Sequence, residues 1–190
     1  MPLLHLLRQN PVIAAVKDNA SLQLAIDSEC QFISVLYGNI CTISQIVKKI
    51  KNAGKYAFIH VDLLEGASNK EVVIQFLKLV TEDGIISTKA SMLKAARAEG
   101  FFCIHRLFIV DSISFHNIDK QVAQSNPDCI EILPGCMPKV LGWVTEKIRQ
   151  PLIAGGLVCD EEDARNAINA GVVALSTTNT GVWTLAKKLL

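Results

Sequence analysis

Six ionisable side chains stand at or just past the ends of short apolar runs: Lys17, Asp18, Asp62, Lys89, Arg106 and Glu131. Two lysines, an arginine and three acids brought to one place can do several kinds of chemistry. A lysine amine can form a Schiff base, and Lys17 and Lys89 are the candidates. A carboxylate pair such as Asp62 and Glu131 can exchange protons. The same groups can simply hold the hydroxyls of a polyol. A second cluster has no charge. "LIAGGLV" ends an apolar run on Gly155 and Gly156, and "ALSTTN" ends the next on Ser176, Thr177 and Thr178. Bare backbone beside hydroxyls suits a phosphate, because amides can approach it closely. Plainer readings exist for each. Asp18 is placed to cap a helix, His60 to sit as a satisfied core histidine, and a Gly-Gly pair to make a turn.

These residues act together only if the elements carrying them converge. Eight short, mostly β-branched runs alternate with helix-like segments: Val12–Val16, Phe32–Tyr37, Tyr56–Asp62, Gly84–Thr88, Phe101–Arg106, Cys129–Leu133, Pro151–Gly155 and Val172–Thr177. The intervening segments carry helix signals. Thr42–Gln45 and Ser68–Glu71 fit capping boxes. Pro138 suits a first helical turn, and the acids of "CDEEDARN" suit a helix N-terminus. Gly54, Gly100 and Gly171 suit left-handed C-terminal caps. Eight such units predict an α/β fold, a compact (β/α)8 TIM-type barrel, whose working face is the carboxyl end of its strands. At 190 residues the chain falls slightly below the usual barrel range, so one helix is expected to be shortened or missing. The candidates are "NASLQLAIDSEC" and the tail "GVWTLAKKLL". Glu131 lies between Ile130 and Ile132, so it points into the barrel if they face the helices. A carboxylate there needs a cation, and Lys17, Lys89 or Arg106 can supply one. In barrels of this kind phosphate binds beyond strands seven and eight, where the two glycines and the hydroxyl cluster fall.

Composition excludes more than it assigns. Mean hydropathy is +0.32 and half the residues are apolar, yet no run reaches the ~18 residues of a membrane span. The apolar start, broken by His5, Arg8 and Pro11, lacks the marks of a secretory signal. No linker is visible, so the chain reads as a single domain, residues 1–190. A net charge of +1 gives no electrostatic case for nucleic acid. The densest basic stretch, Lys48–Lys55, reads as a solvated helix face. Six cysteines show no CxxC pair and no metal-like spacing, so neither metal nor cofactor is expected and reduced thiols in a cytoplasmic protein are. No H-E-x-x-H, G-x-S-x-G or P-loop signature is present. Trp143 and Trp183 suit either core or a homo-oligomer interface.

The segments "PVIAAVKD", "LYGNI", "HVDLLEG", "DGIISTK", "DSIS", "PDCIEILPGCMPK", "PLIAGGLV" and "ALSTTN" together resemble the glycerol-3-phosphate-responsive antiterminators, the glycerol uptake operon regulators. The resemblance runs from Pro11 to about Trp183. "HVDLLEG" and "PDCIEILPGCMPK" are its specific parts. It implies a cytosolic (β/α)8 protein that senses glycerol 3-phosphate, binds the leader mRNA of glycerol-utilisation genes and lets transcription pass a terminator. It implies a phosphate cradle of Gly155, Gly156, Ser176 and Thr177, and a polar lining of Asp18, Asp62, Lys89, Arg106 and Glu131. Two positions depart from the pattern: Cys136 where a larger apolar residue is expected, and His105 where a glutamine is. The alternative from the residues alone is a barrel enzyme, a lyase, isomerase or transferase, acting on a small phosphorylated substrate.

Overall fold

A computed structural model describes residues 2–68 and 70–189. Eight parallel strands close into one barrel in sequence order. They are β1 (Val12–Val16), β2 (Phe32–Val35), β3 (Tyr56–His60), β4 (Gly84–Ser87), β5 (Phe102–Phe108), β6 (Cys129–Leu133), β7 (Leu152–Gly155) and β8 (Ala174–Thr177). Helices α2 (Asn19–Asp27), α3 (Ile43–Asn52), α4 (Glu71–Lys78), α5 (Ala90–Ala98), α7 (Ile118–Ser125), α8 (Pro138–Lys147) and α9 (Glu161–Asn169) cover the strands outside. A short α6 (Ser112–His116) precedes α7, and a four-residue α10 (Thr180–Trp183) follows β8. The segment after β1 therefore forms a full helix, and the tail is the abbreviated one.

Alternation along each strand sorts side chains into two cores. Val12, Ala14, Ile33, Ile59, Ile85, Ile130 and Ile132 face the helices. Ile13, Phe32, Phe58, Ile86, Phe102, Ile104, Cys129, Ile153 and Ala174 fill the barrel. Three of the inner rings stack, with centroids 5.3 Å apart for Phe32 and Phe58 and 5.8 Å for Phe58 and Phe102. Gly84 makes this floor fit: a Cβ there would stand 2.6 Å from the Phe58 ring. The apolar start of the chain has its use here too. It forms α1 (Pro2–Gln9), whose Leu7 is fully buried among the inner side chains, with Leu3, Leu4 and Leu6 packed against them. Burying one leucine this way contributes about 2 kcal/mol, and it closes the amino end of the barrel.

Several local expectations need correction. Thr42 makes no capping bond to α3. Asn39 instead holds the turn that leads into α3, its Oδ1 accepting from the Cys41 and Thr42 amides at 2.9 and 3.0 Å. The Ser68–Glu71 box does not form either: α4 starts at Glu71, Lys70 precedes it without a capping bond, and Asn69 lies outside the described residues. Strand β3 stops at His60, so Asp62 sits in a 3-10 turn, Val61–Leu63, and β5 runs two residues past Arg106. The signals at Pro138 and Asp160–Asp163, and the left-handed glycines 54, 100 and 171, are as expected.

Candidate functional site

The same alternation that buries Phe58 and Ile104 inside the barrel brings a second set of positions inward one step higher, five of them polar and two, Ala15 and Gly155, small. Ala15, Ser34, His60, Arg106, Glu131, Gly155 and Ser176 each lie two residues beyond an inner core residue. They form a polar tier beneath the carboxyl mouth. Arg106 and Glu131 are register partners on β5 and β6. Arg106 Nε donates to Glu131 Oε2 at 2.6 Å and its terminal nitrogen to Oε1 at 3.3 Å. Both residues are buried. Of the three cations weighed from the sequence, Arg106 supplies the charge Glu131 requires.

Gly155 and Ser176 are also register partners, on β7 and β8. Gly155 has a job that the sequence did not disclose: a Cβ there would lie 2.5 Å from Glu131 Oε1. The missing side chain makes room for the carboxylate. Past the strand, Gly156 and Leu157 both take left-handed backbone, φ 69° and 55°. That conformation is uncommon for leucine and costs roughly 1–3 kcal/mol. Two side chains hold this turn against the loop after β8. Thr177 Oγ1 donates to the Val158 carbonyl at 2.7 Å and accepts from the Asn179 amide at 3.0 Å. Asn179 Nδ2 donates to the Cys159 carbonyl at 2.8 Å. Among the described residues, the amides of Gly156, Leu157 and Thr178 have no acceptor in the chain.

These groups share one cleft of about 420 Å3, lined by Arg106, Glu131, Gly156, Leu157, Ser176 and Thr177 among others. Five expected site residues thus line it, Arg106, Glu131, Gly156, Ser176 and Thr177, and a sixth, Gly155, shapes it by making room for Glu131. Asp18, Asp62 and Lys89 are absent from its lining. Asp18 caps α2, accepting from the Ser21 amide at 2.7 Å and the Ser21 hydroxyl at 2.8 Å. The amide bond above all holds its carboxyl below the usual value. Asp62 accepts from Ser87 Oγ at 2.8 Å and from the Thr88 amide and hydroxyl at 2.6 and 2.9 Å. Burial acts to raise its pKa, but these three donors outweigh it and leave it below the usual value. Lys89 immediately precedes α5, its amide donating to Ser87 Oγ at 3.0 Å.

Sequence reasoning missed Asn179, Leu157 and Ser34. A polar residue directly after "STT" is a visible signal for the first; backbone strain and orphaned hydroxyls leave none. His105 proves structural: it points outward, with Nδ1 2.8 Å from Ser125 Oγ. A larger groove, about 760 Å3, runs between α6 and α8 and is lined by Val110, Phe115 and Trp143. It is mostly apolar and lies on the flank, whereas the inward polar tier serves the mouth. The basic stretch around α3 is partly absorbed: Lys51 pairs with Asp83 at 2.7 Å, and buried Lys55 donates to the Ala25 and Ser28 carbonyls. All six cysteines are free. Among the described residues, no three His, Cys, Asp or Glu side chains are placed to share a metal ion, and no helix is long and apolar enough to cross a membrane.

Comparison with known proteins adds the following. The family model for the glycerol-3-phosphate responsive antiterminator matches residues 12–183. "Uncharacterized protein YgcP" of Escherichia coli (strain K12) is 99% identical over 191 residues, covering all of both chains. Among solved structures, the glycerol uptake operon antiterminator regulatory protein from Listeria monocytogenes str. 4b F2365 is 30% identical. It superposes with a TM-score of 0.87 over 91% of this chain and 94% of that one. A glycerol uptake operon antiterminator-related protein from Thermotoga maritima MSB8 is also 30% identical, with a TM-score of 0.82 over 92% and 98%. The deoxyribose phosphate aldolase from Aeropyrum pernix, 12% identical with a TM-score of 0.71 over 96% and 92%, shares the fold alone.

Proposed function

Because the chain belongs to the glycerol-3-phosphate-responsive antiterminator family, we propose that it senses glycerol 3-phosphate and, in response, binds the leader mRNA of glycerol-utilisation genes in the cytoplasm to promote antitermination. The observation that carries the ligand reading is the set of unpaired amides at Gly156, Leu157 and Thr178 around one cleft. Amides without an acceptor, beside the Ser176 hydroxyl, are what a phosphate dianion requires. The cleft is of the size that takes a small metabolite. In this reading the phosphate rests on the amides of Gly156, Leu157 and Thr178 and on the Ser176 hydroxyl, with Thr177 and Gly155 shaping the seat, and the glycerol portion extends toward Arg106 and Glu131. The rim residues Asp18, Asp62 and Lys89 set the loops above it. Self-association through the exposed Trp143 face belongs to the same reading.

Glycerol 3-phosphate can promote RNA binding only if the RNA-competent state holds the ligand more tightly. The test is leader-RNA affinity at one fixed salt concentration with and without glycerol 3-phosphate, since electrostatic affinity varies steeply with salt. The expected result is at least fivefold tighter binding with the ligand. Equal affinities overturn the sensing role.

A further inference from the structure

Two side chains in the polar tier have buried atoms without a partner. Ser34 Oγ on β2 and His60 Nδ1 on β3 are buried and make no hydrogen bond. The two residues are 0% and 3% exposed. A buried polar atom left unpaired forfeits its hydration without recompense, and native proteins keep few of them. Here two stand on neighbouring strands, on the same inner face. Ser34 is the register partner of Ala15, which lines the cleft. His60 Nδ1 lies 4.0 Å from Asp62 Oδ2, beyond hydrogen-bond reach. In the strand order β2 and β3 lie across the barrel from β6 and β7, which carry Glu131 and Gly155.

The charges around them say what would fit. Arg106 is the cation of this tier, and Glu131 holds it by two hydrogen bonds. Burial, and then the positive charge of Arg106, keep His60 neutral. A neutral imidazole and a serine hydroxyl can each donate or accept one hydrogen bond. A group that donates to one and accepts from the other is an alcohol. A carboxylate placed there would meet Glu131 and Asp62, both of which act on His60 electrostatically.

Neither residue borders the cleft itself; Ser34 adjoins it through its register partner Ala15. We propose that Ser34 and His60 extend the cleft inward beyond Ala15 and hydrogen-bond the terminal hydroxyl of a short polyol phosphate. The pair then selects an alcohol over a carboxylate at the carbon farthest from the phosphate. This rests on the reading of the cleft as a glycerol 3-phosphate site and adds two residues and a specificity rule to it.

Titration calorimetry on the full chain tests it, using glycerol 3-phosphate, 3-phosphoglycerate and inorganic phosphate against the wild type, Ser34→Ala and His60→Leu. The wild type is expected to bind glycerol 3-phosphate at least tenfold more tightly than 3-phosphoglycerate. Each variant is expected to lose about tenfold toward glycerol 3-phosphate and less than twofold toward inorganic phosphate. Ser34→Ala removes a single orphaned oxygen, so its melting temperature without ligand should equal or exceed that of the wild type; it keeps the test valid if His60→Leu folds poorly. Wild-type binding of glycerol 3-phosphate with Ser34→Ala within twofold of it overturns the inference alone. So does a ligand-bound crystal structure in which a water, not the ligand, bridges Ser34 and His60. A wild type that fails to bind glycerol 3-phosphate overturns the ligand reading itself, and this inference with it.

Discussion

Gly155 carries no side chain where the carboxylate of Glu131 stands: a Cβ at residue 155 would fall 2.5 Å from Glu131 Oε1 and 2.9 Å from two of its carbons. Glu131 cannot retreat easily, because Arg106 Nε grips its other oxygen at 2.6 Å. Gly155→Ala is therefore expected to destabilise the fold by about 2–4 kcal/mol, through overpacking and loss of the ion pair. Urea unfolding checks this. An alanine that costs under ~0.5 kcal/mol would show that the carboxylate has somewhere else to go.

The ion pair makes a prediction about asymmetry. Glu131→Ala leaves a buried guanidinium unpaired and should cost about 3–5 kcal/mol. Replacing both partners, as in Arg106→Leu with Glu131→Leu, should cost clearly less than that single change, since no buried charge remains. The double variant should also lose glycerol 3-phosphate binding. Denaturant midpoints of the two variants beside the wild type settle the order.

His60 predicts a loss of stability in acid. Burial first, then Arg106, depress its pKa from 6.5 to about 4 in the fold. The unfolded chain thus binds a proton that the native state refuses between those two values. Stability from this group is complete above pH 6.5 and is lost as pH falls toward 4. A shift of this size corresponds to about 3 kcal/mol. Asp62, held below its ordinary value, extends the decline further into acid. His60→Leu should flatten the pH 4 to 6.5 portion of a melting-temperature profile. An unchanged slope there would remove His60 as its source.

Thr177 ties the loops after β7 and β8 together by donating to Val158 and accepting from Asn179. Thr177→Val keeps the shape but breaks both bonds. A loss of about 1–3 kcal/mol in stability is expected, with weaker binding of inorganic phosphate and glycerol 3-phosphate alike. Parallel loss toward both ligands distinguishes this residue from Ser34, whose removal should spare inorganic phosphate.

The periodic parts of this molecule were readable from residues alone. Strand runs such as "VIAAV" and "CIEIL" coincide with β1 and β6 residue for residue, because β-branched stretches between helix signals have little else to become. The inward direction of Glu131 followed from its two isoleucine neighbours. What stayed hidden depended on contacts across the barrel. Nothing in "LIAGGLV" says that Gly155 yields space to residue 131 rather than to a ligand. Nothing in "HVDLLEG" separates His60, left unpaired inside, from Asp62, fully engaged on a turn. Capping boxes misled for a related reason: the Thr42 hydroxyl accepts from the Asn39 amide, outside the four-residue pattern, and makes no bond to the first amides of α3.

The stopper formed by Leu7 at the amino end has one more consequence. The cylinder is a blind cup with a single opening, so under the proposed sensing role a metabolite arrives and departs by the same door. Residence time is then governed by the lips of that cup, the loops after β1 to β8, and not by the walls. Any macromolecule that responds to whether the cup is full must read those lips.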